Sequence, residues 1–283
     1  MGLQLPRSLF VLSFASVACS SQAVLGALLS TPSPWTNVGM VLTSGGSGSG
    51  VPISSRWVLT AGHVVRSSSG TVTNPATTNF RLGSLAVGTN YGIDQIVPHP
   101  TDDLAAIHTT SDLPGFFGIT LTTVANQSLT DIVGYGYTAS YNAATGQWTS
   151  TQGYGTLRRG QNVISNTADL GQTTGFNRWR FMYRYDFDGN GVDTFGDGGP
   201  VPGGDALGFS GDSGGGLFVN GNVVGLHLGR PSGSIQWGTV GVASQLSAYS
   251  QFIISTTGVP EPASMIAIGM GLGALVLRRR TKR

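Results

Sequence analysis

The apolar residues between positions 24 and 257 come in short runs, separated by glycine, serine and threonine rather than by charged stretches. Short runs rich in β-branched residues predict strands, whereas a helix needs an apolar repeat every three or four residues. The predicted strand regions are NVGMVLT, GVPISSRWVLTAGHVV, FRLGSLAVG, GIDQIVPH, LAAIHTT, GITLTTV, TDIVGYGYTA, GGLFVNGNVVGLHLG and GTVGVAS. Since this stretch has no internal repeat or heptad pattern, we expect one all-β domain with many turns.

Local patterns mark turns, loops and one helix. The NGN step at Asn220 to Asn222 separates two apolar runs and predicts a tight hairpin. The Gly/Ser tract at residues 44–50 and the Ser/Thr tract at residues 67–78 predict loops. The segment ASQLSAYSQFII predicts a C-terminal helix, because apolar residues recur at helical spacing. The residues on its expected buried face are Leu246, Tyr249 and Phe252 or Ile253.

The composition supports this fold class. Hydrophobic residues make up 40% of the 283-residue chain, which is enough for a sizeable core, whereas charged residues make up only 10% and the glycines number 44. Helical bundles are rich in charged helix-forming residues. The composition therefore favours an all-β protein.

Residues 1–23 have the organisation of a secretory signal peptide. Arg7 is followed by an apolar run from Leu9 to Ala18 and by a small-residue cleavage site that ends at Ala23. The apolar run is too short to span a membrane. Because Cys19 is the only cysteine, we expect a mature chain without disulfides in an oxidising compartment.

Residues 258–283 combine a Pro-Glu-Pro motif at 260–262, an apolar stretch at 263–277 and a basic tail. This arrangement resembles the PEP-CTERM sorting signal of Gram-negative, exosortase-bearing bacteria. The resemblance implies transient anchoring in the inner membrane, cleavage by an exosortase-type sorting enzyme, and export to the cell surface or extracellular matrix. A plain C-terminal membrane anchor is the alternative interpretation.

The positive net charge of the full chain comes from these two terminal segments. They contain six of the fifteen Lys and Arg residues but only one of the thirteen acids, Glu261. Their removal leaves nine basic residues against twelve aspartates, a net charge of −3. The sequence therefore gives no support to nucleic-acid binding.

Three motifs carry candidate chemistry. SSRWVLTAGHVV places His63 after an apolar strand, IVPHPTDDLAAI places Asp103 before another apolar run, and GFSGDSGGGLF contains Ser213. Acyl hydrolysis needs a hydroxyl nucleophile, a base, a carboxylate that orients the base, and backbone N–H donors for the oxyanion. All four are available, in the order His, Asp, Ser.

The segments LTAGH, DDLAAI and GDSGGG resemble the three signature segments of trypsin-like (chymotrypsin-fold) serine proteases, and the similarity extends over residues 35–254. The resemblance implies two packed six-stranded antiparallel β-barrels with a C-terminal helix, and an active site in the cleft between the barrels. It also implies a serine endopeptidase domain at residues 24–257 that acts on protein or peptide substrates.

The resemblance also implies a role for each residue of the site. His63 corresponds to the general base and acid, Asp103 to the residue that fixes its tautomer, and Ser213 to the nucleophile. The backbone N–H groups of Gly211 and Ser213 correspond to the oxyanion hole. Asp102 is the alternative candidate for the acid that orients His63. Asp103 is preferred because the family's acid directly precedes an aliphatic-alanine pair.

Two further features follow from the family pattern. Its members commonly insert a new N-terminus whose ammonium pairs with the acid before the nucleophile, here Asp212, and we hypothesise that Val24 has this role after signal cleavage. His227 lies where the family usually has a small residue, so it either bonds to Asp103 or packs in the core.

Two residues are candidates for the floor of the pocket that determines substrate specificity. Six residues before Ser213, where the family has its pocket-floor residue, the chain has Leu207, which favours an apolar or neutral substrate side chain. A two-residue insertion would instead place Asp205 there and favour Arg or Lys.

The segment DFDGNGVDTFGD resembles the EF-hand calcium loop. Oxygen ligands at alternate positions wrap a hard cation, and a glycine permits the tight turn. We therefore expect a structural Ca²⁺, although a solvated Asp/Gly loop is the alternative. The expected ligands are Asp186, Asp188, Asn190, Val192 and Asp197.

Two functions compete at this point. The leading one is a secreted, surface-sorted serine endopeptidase that needs no cofactor for catalysis. The alternative is a catalytically silent, calcium-stabilised surface protein that binds matrix or partner proteins with the same fold.

Overall fold

The computed structural model of the protein describes residues 22–23, 34–151, 153–171, 176–230 and 234–259. The predicted signal peptide up to residue 21, Val24, and the apolar C-terminal segment lie outside the described residues. Within the described ranges, no helix is long and apolar enough to cross a membrane.

The described residues form sixteen strands, two short α-helices and three turns of 3₁₀ helix. The strands are β1 Gln22–Ala23, β2 Gly39–Thr43, β3 Gly46–Pro52, β4 Trp57–Thr60, β5 Asn79–Gly83, β6 Gly88–Pro98, β7 Ala105–Thr109, β8 Ser128–Gly134, β9 Thr138–Asn142, β10 Gln147–Thr151, β11 Arg158–Ile164, β12 Asn166–Ala168, β13 Met182–Asp186, β14 Gly216–Val219, β15 Asn222–Gly229 and β16 Val240–Gln245. The helices are α1 Gly62–Val65 and α2 Ser250–Thr257, and the 3₁₀ turns are Trp35–Asn37, Pro75–Thr77 and Leu246–Tyr249.

The first half of the chain forms a closed antiparallel barrel with the strand order β2-β3-β4-β7-β6-β5. Side chains alternate across each strand, so that one side chain in two points inward. Val41, Val58, Phe80 and Ile107 are fully buried in one cluster from four of these strands. This core holds β4 and β7, and hence the segments that follow β4 and precede β7, at fixed positions.

The second half forms a seven-stranded antiparallel sheet with the order β11-β8-β14-β15-β16-β13-β12. The expected all-β architecture of two packed β-units with a C-terminal helix is confirmed. The second unit differs from the expected six-stranded barrel, because β11 and β12 each pair with one strand only and leave a half-barrel. A separate three-stranded sheet, β1-β9-β10, completes the β-structure.

Two local predictions are wrong. The Gly/Ser tract at residues 44–50 is largely strand β3, not a loop. Its small residues allow close packing, since a Cβ on Gly48 would lie 2.7 Å from the carbonyl oxygen of Ser213. GITLTTV is not a regular strand, and only Ile119 makes an isolated bridge, with Val223.

Other local predictions are confirmed. Asn220 and Gly221 have φ of 50° and 78° and form a tight turn, so that Val219 pairs with Asn222 in the β14–β15 hairpin. Such left-handed turns match the twist of paired strands. The Ser/Thr tract at residues 67–78 forms a loop containing one 3₁₀ turn. The C-terminal helix is present as a 3₁₀ turn followed by α2, whose buried residues are Leu246, Tyr249 and Ile253, whereas the first three residues of the predicted segment belong to β16.

Candidate active site

His63 lies on the single turn of α1, three residues after β4 ends. The corner is crowded, because a Cβ on Gly62 would lie 3.0 Å from the backbone nitrogen of Leu104. Only a glycine allows the helix to approach the segment before β7 so closely. The imidazole side chain is 36% exposed and faces the cleft between the two β-units.

Asp103 lies in the segment between β6 and β7 and accepts three hydrogen bonds. Its Oδ2 accepts from His63 Nδ1 at 2.8 Å and from Trp179 Nε1 at 2.9 Å, and its Oδ1 accepts from the His63 backbone nitrogen at 2.7 Å. The Asp103 side chain is 2% exposed. A buried carboxylate with three donors fixes both the position and the tautomer of His63, with the proton on Nδ1.

Asp102 has a different partner. Its carboxylate accepts from Arg180 Nε at 3.1 Å and from Arg180 Nη2 at 3.0 Å. Its backbone carbonyl accepts from Arg66 Nη2 at 3.1 Å. The structure therefore brings Asp103 to His63, whereas Asp102 anchors the segment to the second half of the protein.

The environment of His63 raises its pKa above the ordinary value of 6.5. Burial of the imidazole lowers the pKa, but the negative charge of Asp103 and its hydrogen bond to Nδ1 together outweigh that effect. A higher pKa makes the imidazole a stronger base toward the proton of a hydroxyl.

Ser213 lies in the turn before β14 and shares a pocket with His63 and Asp103. Its hydroxyl donates to the carbonyl oxygen of Leu228 at 3.3 Å. The pocket has a volume of about 400 Å³, and its other lining residues are Trp179, Gly208, Phe209, Ser210, His227, Leu228, Gly229 and Arg230.

Gly211 has a φ of 92°, a left-handed conformation that favours glycine. A Cβ at this position would also lie 2.8 Å from the ring of Tyr154. The backbone N–H groups on either side of Ser213 are used within the turn, since Asp212 N donates to Phe209 O at 2.9 Å and Gly214 N to His227 O at 2.7 Å.

Asp212, the expected partner of the Val24 ammonium, is buried behind this turn. Its Oδ1 accepts from the Gly136 backbone nitrogen at 2.7 Å and its Oδ2 from the Phe209 backbone nitrogen at 2.8 Å. Because Val24 lies outside the described residues, its role stays a prediction.

Ser49 on β3 connects the first barrel to the turn that contains Ser213. Its backbone nitrogen donates to Ser213 O at 2.7 Å, and its hydroxyl donates to Gly211 O at 3.0 Å. The hydroxyl also accepts from the backbone nitrogen of Tyr135 at 3.0 Å. Ser49 was not predicted from the sequence, because it lies in a Gly/Ser tract with no signal for a strand.

Replacement of Ser49 by alanine is expected to lower the free energy of unfolding by about 1–3 kcal/mol, because the buried Tyr135 amide and Gly211 carbonyl each lose a partner. For a domain of this size, the melting temperature should fall by about 3–10 °C. Thermal unfolding followed by circular dichroism measures the change, with Ser69→Ala in the exposed loop as the control. Equal melting temperatures for the two variants would contradict the role of Ser49.

The two specificity candidates do not line the pocket with Ser213. Leu207 is fully buried in the core of the second unit. Asp205 is 3% exposed, and its carboxylate accepts from the backbone nitrogens of Asp188 at 3.0 Å and Val201 at 2.9 Å.

His227 is 1% exposed and bonds to Tyr185, not to Asp103. The distance from Tyr185 Oη to His227 Nδ1 is 2.6 Å. Burial, together with the nearby charges of His63 and Arg230, lowers the pKa of His227 to about 3. The imidazole is therefore neutral at physiological pH, and it lines the pocket beside Ser213.

The acidic loop between β13 and residue 205 brings together Asp186, Asp188 and Asp193, each with one carboxylate oxygen within 4.8 Å of the others. Asp188 is 2% exposed and its Oδ1 has no hydrogen-bond partner. Burial and the charges of its acidic neighbours raise the pKa of Asp188 to about 8. Asp193 lies within the predicted calcium motif but was not among the expected ligands, since the EF-hand pattern has no side-chain ligand at that position.

The other expected ligands lie elsewhere in this loop. Gly189 and Val192 exchange backbone hydrogen bonds of 3.2 and 3.0 Å, so the Val192 carbonyl is used within a tight hairpin, and Asn190 lies on the turn with a φ of 52°. Asp197 has two buried carboxylate oxygens without a hydrogen-bond partner. The loop therefore does not follow an EF-hand conformation at Asn190 and Val192.

Comparisons with known proteins bear on the family and the fold of the chain. The trypsin family profile matches residues 30–253, and the PEP-CTERM protein-sorting motif matches residues 258–280. No curated protein sequence matches the chain. Among the solved structures, neuropsin, a serine protease expressed in the limbic system of mouse brain, superposes with a TM-score of 0.57 at 18% sequence identity. The superposition covers 82% of this chain and 98% of neuropsin, and it shows a shared fold.

Proposed function

Because the chain belongs to the trypsin family, we propose that it is an active serine endopeptidase whose catalytic residues are His63, Asp103 and Ser213. The observation that carries the proposal is the 2.8 Å hydrogen bond between the Asp103 carboxylate and His63 Nδ1, in the same pocket as the Ser213 hydroxyl. Its substrates are proteins or peptides that enter the cleft in an extended conformation.

In the proposed mechanism, His63 accepts and then donates one proton in each step. The Ser213 oxygen attacks the carbonyl carbon of the scissile peptide bond, and its proton passes to His63 Nε2. Asp103 stabilises the imidazolium that forms. The oxyanion accepts hydrogen bonds from the backbone nitrogens of Gly211 and Ser213.

Collapse of this intermediate breaks the peptide bond. His63 gives its proton to the leaving amine, and the acyl group stays on Ser213 as an ester. A water molecule then attacks the ester with His63 as the base, which releases the acid product and restores the hydroxyl of Ser213. No cofactor enters these steps.

A fluorophosphonate probe tests the proposal, because it reacts with a serine hydroxyl that an adjacent base activates. We expect the purified protein to be labelled once per chain and to hydrolyse unfolded protein substrates. A correctly folded protein that is neither labelled nor hydrolytic would instead support the silent, calcium-stabilised surface binding protein.

We further propose that the chain is exported and sorted to the cell surface or extracellular space of a Gram-negative bacterium. The PEP-CTERM match at residues 258–280 supports cleavage by an exosortase-type enzyme. In this proposal residues 1–23 are a signal peptide, residues 24–257 the protease domain, and residues 258–283 a sorting segment that anchors the chain in the inner membrane until it is cleaved.

The acidic loop is proposed to hold a structural Ca²⁺ through Asp186, Asp188 and Asp193. Calcium prefers several carboxylate and carbonyl oxygens, and the unpaired Oδ1 of buried Asp188 is such a ligand. Burial and the charges of Asp186 and Asp197 also raise the pKa of Asp205 to about 6. A divalent cation would compensate this concentration of carboxylates.

Calcium is therefore expected to stabilise the protein. At a concentration of one hundred times Kd, a ligand that binds only the folded state adds about 2.7 kcal/mol, which corresponds to roughly 5–10 °C in melting temperature for a domain of this size. The measurement is thermal unfolding after EDTA treatment, with and without added CaCl₂. Asp188→Asn should remove the shift, whereas Asp112→Asn, at an exposed carboxylate paired with Arg56, should retain it. An unchanged wild-type melting temperature would exclude the calcium site.

A further inference from the structure

A short segment of the second unit, residues 177–180, lies against the segment that carries Asp103. Arg178 N donates to Thr101 O at 3.1 Å, and Asp103 N donates to Arg178 O at 3.1 Å. These bonds form a parallel bridge between Asp102 and Arg178. Because residues 177–180 lead into β13 of the second sheet, whereas Asp103 follows β6 of the barrel, the contact joins the two units beside the proposed site.

This segment is anchored at both ends. At one end, Arg66 donates to Asn177 Oδ1 from Nε at 3.1 Å and from Nη2 at 2.9 Å, and both residues are buried. At the other end, the carbonyl oxygen of Arg180 accepts from Tyr249 Oη at 2.6 Å. The backbone at Trp179 is therefore held from both sides, which fixes the point from which its side chain extends.

The indole of Trp179 is the third donor to the Asp103 carboxylate. Its Nε1 donates to Oδ2 at 2.9 Å, and the same oxygen accepts from His63 Nδ1 at 2.8 Å. The remaining donor is the backbone nitrogen of His63, so two of the three donors belong to His63 itself. Among these donors, Trp179 alone ties the carboxylate to the second unit. An indole N–H donates and does not accept, so it can serve only an acceptor such as this carboxylate.

We propose that Trp179 is a positioning residue for peptide hydrolysis: its indole N–H holds the Asp103 carboxylate in the orientation that fixes His63. This inference rests on the proposed endopeptidase function. The Asp103 side chain is only 2% exposed, so the loss of a donor leaves a buried acceptor without its partner. The two donors that remain would move together with His63. The negative charge would then no longer be held in place while the imidazole takes the proton of Ser213.

Removal of this donor is expected to lower kcat by about 10-fold, the size of effect that one hydrogen bond to a charged group provides. KM should not change, because the N–H faces Asp103, and a group that acts only in the transition state lowers kcat and kcat/KM equally. Trp179→Phe removes the N–H, but it also removes part of a ring that lines the pocket. That variant alone does not separate positioning from packing.

The decisive variant carries benzothienylalanine in place of Trp179, introduced at a stop codon, because sulphur then replaces the N–H and the ring keeps its shape. Hydrolysis of a peptide amide gives kcat and KM, and thermal unfolding checks the fold. The matched control has the same analogue in place of Trp148, which is 8% exposed and whose Nε1 has no hydrogen-bond partner among the described residues. The control should keep the wild-type kcat and KM.

The Asp103→Asn background separates positioning from a purely structural role. In that variant an NH₂ group takes the place of the oxygen that accepts from Trp179, so the indole N–H has lost its acceptor. If Trp179 acts through the carboxylate, the analogue should then change kcat by less than about 2-fold, since the two changes remove the same interaction. An equal loss of kcat in both backgrounds would show that Trp179 acts independently of Asp103 and would overturn the proposal.

The outcomes distinguish this inference from the proposed function. If the fluorophosphonate probe labels the wild type, and the analogue at position 179 keeps the wild-type kcat, the role of Trp179 is overturned and the endopeptidase function stands. A folded wild type without labelling or hydrolysis overturns the proposed function, and the role of Trp179 falls with it.

Discussion

Replacement of Ser213 by alanine is expected to lower kcat by roughly 10⁶-fold, because residues of a catalytic triad act as a unit and each one is needed for the common step. The methyl group cannot form the acyl-enzyme ester. Hydrolysis by Ser213→Ala should therefore fall to the residual rate that substrate binding and the oxyanion hole provide. The side chain is small and its hydroxyl makes a single 3.3 Å bond to Leu228 O, so the fold should be retained.

The measurement combines peptide hydrolysis with fluorophosphonate labelling. Wild type should be labelled, Ser213→Ala should not, and both should have closely similar melting temperatures. Ser69→Ala in the exposed loop is the matched control and should label as wild type does. Persistent labelling of Ser213→Ala would assign the reactive hydroxyl to another residue.

Replacement of Asp103 by asparagine is expected to lower kcat/KM by about 10⁴-fold through the wrong tautomer of His63. The amide can still accept from the His63 backbone nitrogen, but its NH₂ group donates toward Nδ1. His63 then carries its proton on Nε2 and cannot accept one from Ser213. The kinetics on a single peptide substrate measure this loss.

The pH dependence provides a second measure of the same variant. The wild-type rate should rise as His63 loses its proton, with an apparent pKa above 6.5. In Asp103→Asn the imidazole of His63 is still buried but has no neighbouring negative charge, so its pKa is lowered. The pH at which the rate rises should therefore be lower in Asp103→Asn than in wild type. The raised pKa also means that the His63–Asp103 pair stabilises the fold fully below pH 6.5 and loses this contribution as the pH rises through the raised value.

Asp102→Asn is the matched control, because it removes a neighbouring carboxylate that pairs with Arg180. Asp102→Asn should lower the melting temperature. It should not change the pH at which the rate rises as His63 loses its proton. A 10⁴-fold loss in Asp102→Asn with a nearly normal Asp103→Asn would reverse the assignment of the orienting acid.

The sequence predicts those parts of the proposed site in which chemistry restricts the residue type. Few residue types can serve as the base, the carboxylate and the nucleophile, which are the predicted roles of His63, Asp103 and Ser213. Each of these residues also lies in a short local motif. Trp179 lies 76 residues from Asp103 along the chain, and its indole N–H reaches the carboxylate only through the fold. No local pattern marks such a contact.

The missed strands have a related cause. Strand β3 consists mainly of glycine and serine, which have low strand propensity, and it forms because neighbouring backbones approach closely at Gly48. Strands β9 to β13 similarly lack long apolar runs. The pocket wall could not be predicted either, since counting residues from Ser213 points to Leu207, whereas β15 brings Arg230 to the pocket.

Ser49 lies where the two halves of the chain meet. His63 and Asp103 belong to the first barrel, Ser213 and Trp179 to the second unit, and Ser49 joins the backbone of one to the nucleophile turn of the other. Neither half of the chain contains a complete site. The proposed catalytic residues therefore come together only when both halves have folded and docked, and a chain of which only one half has been synthesised would lack a complete site.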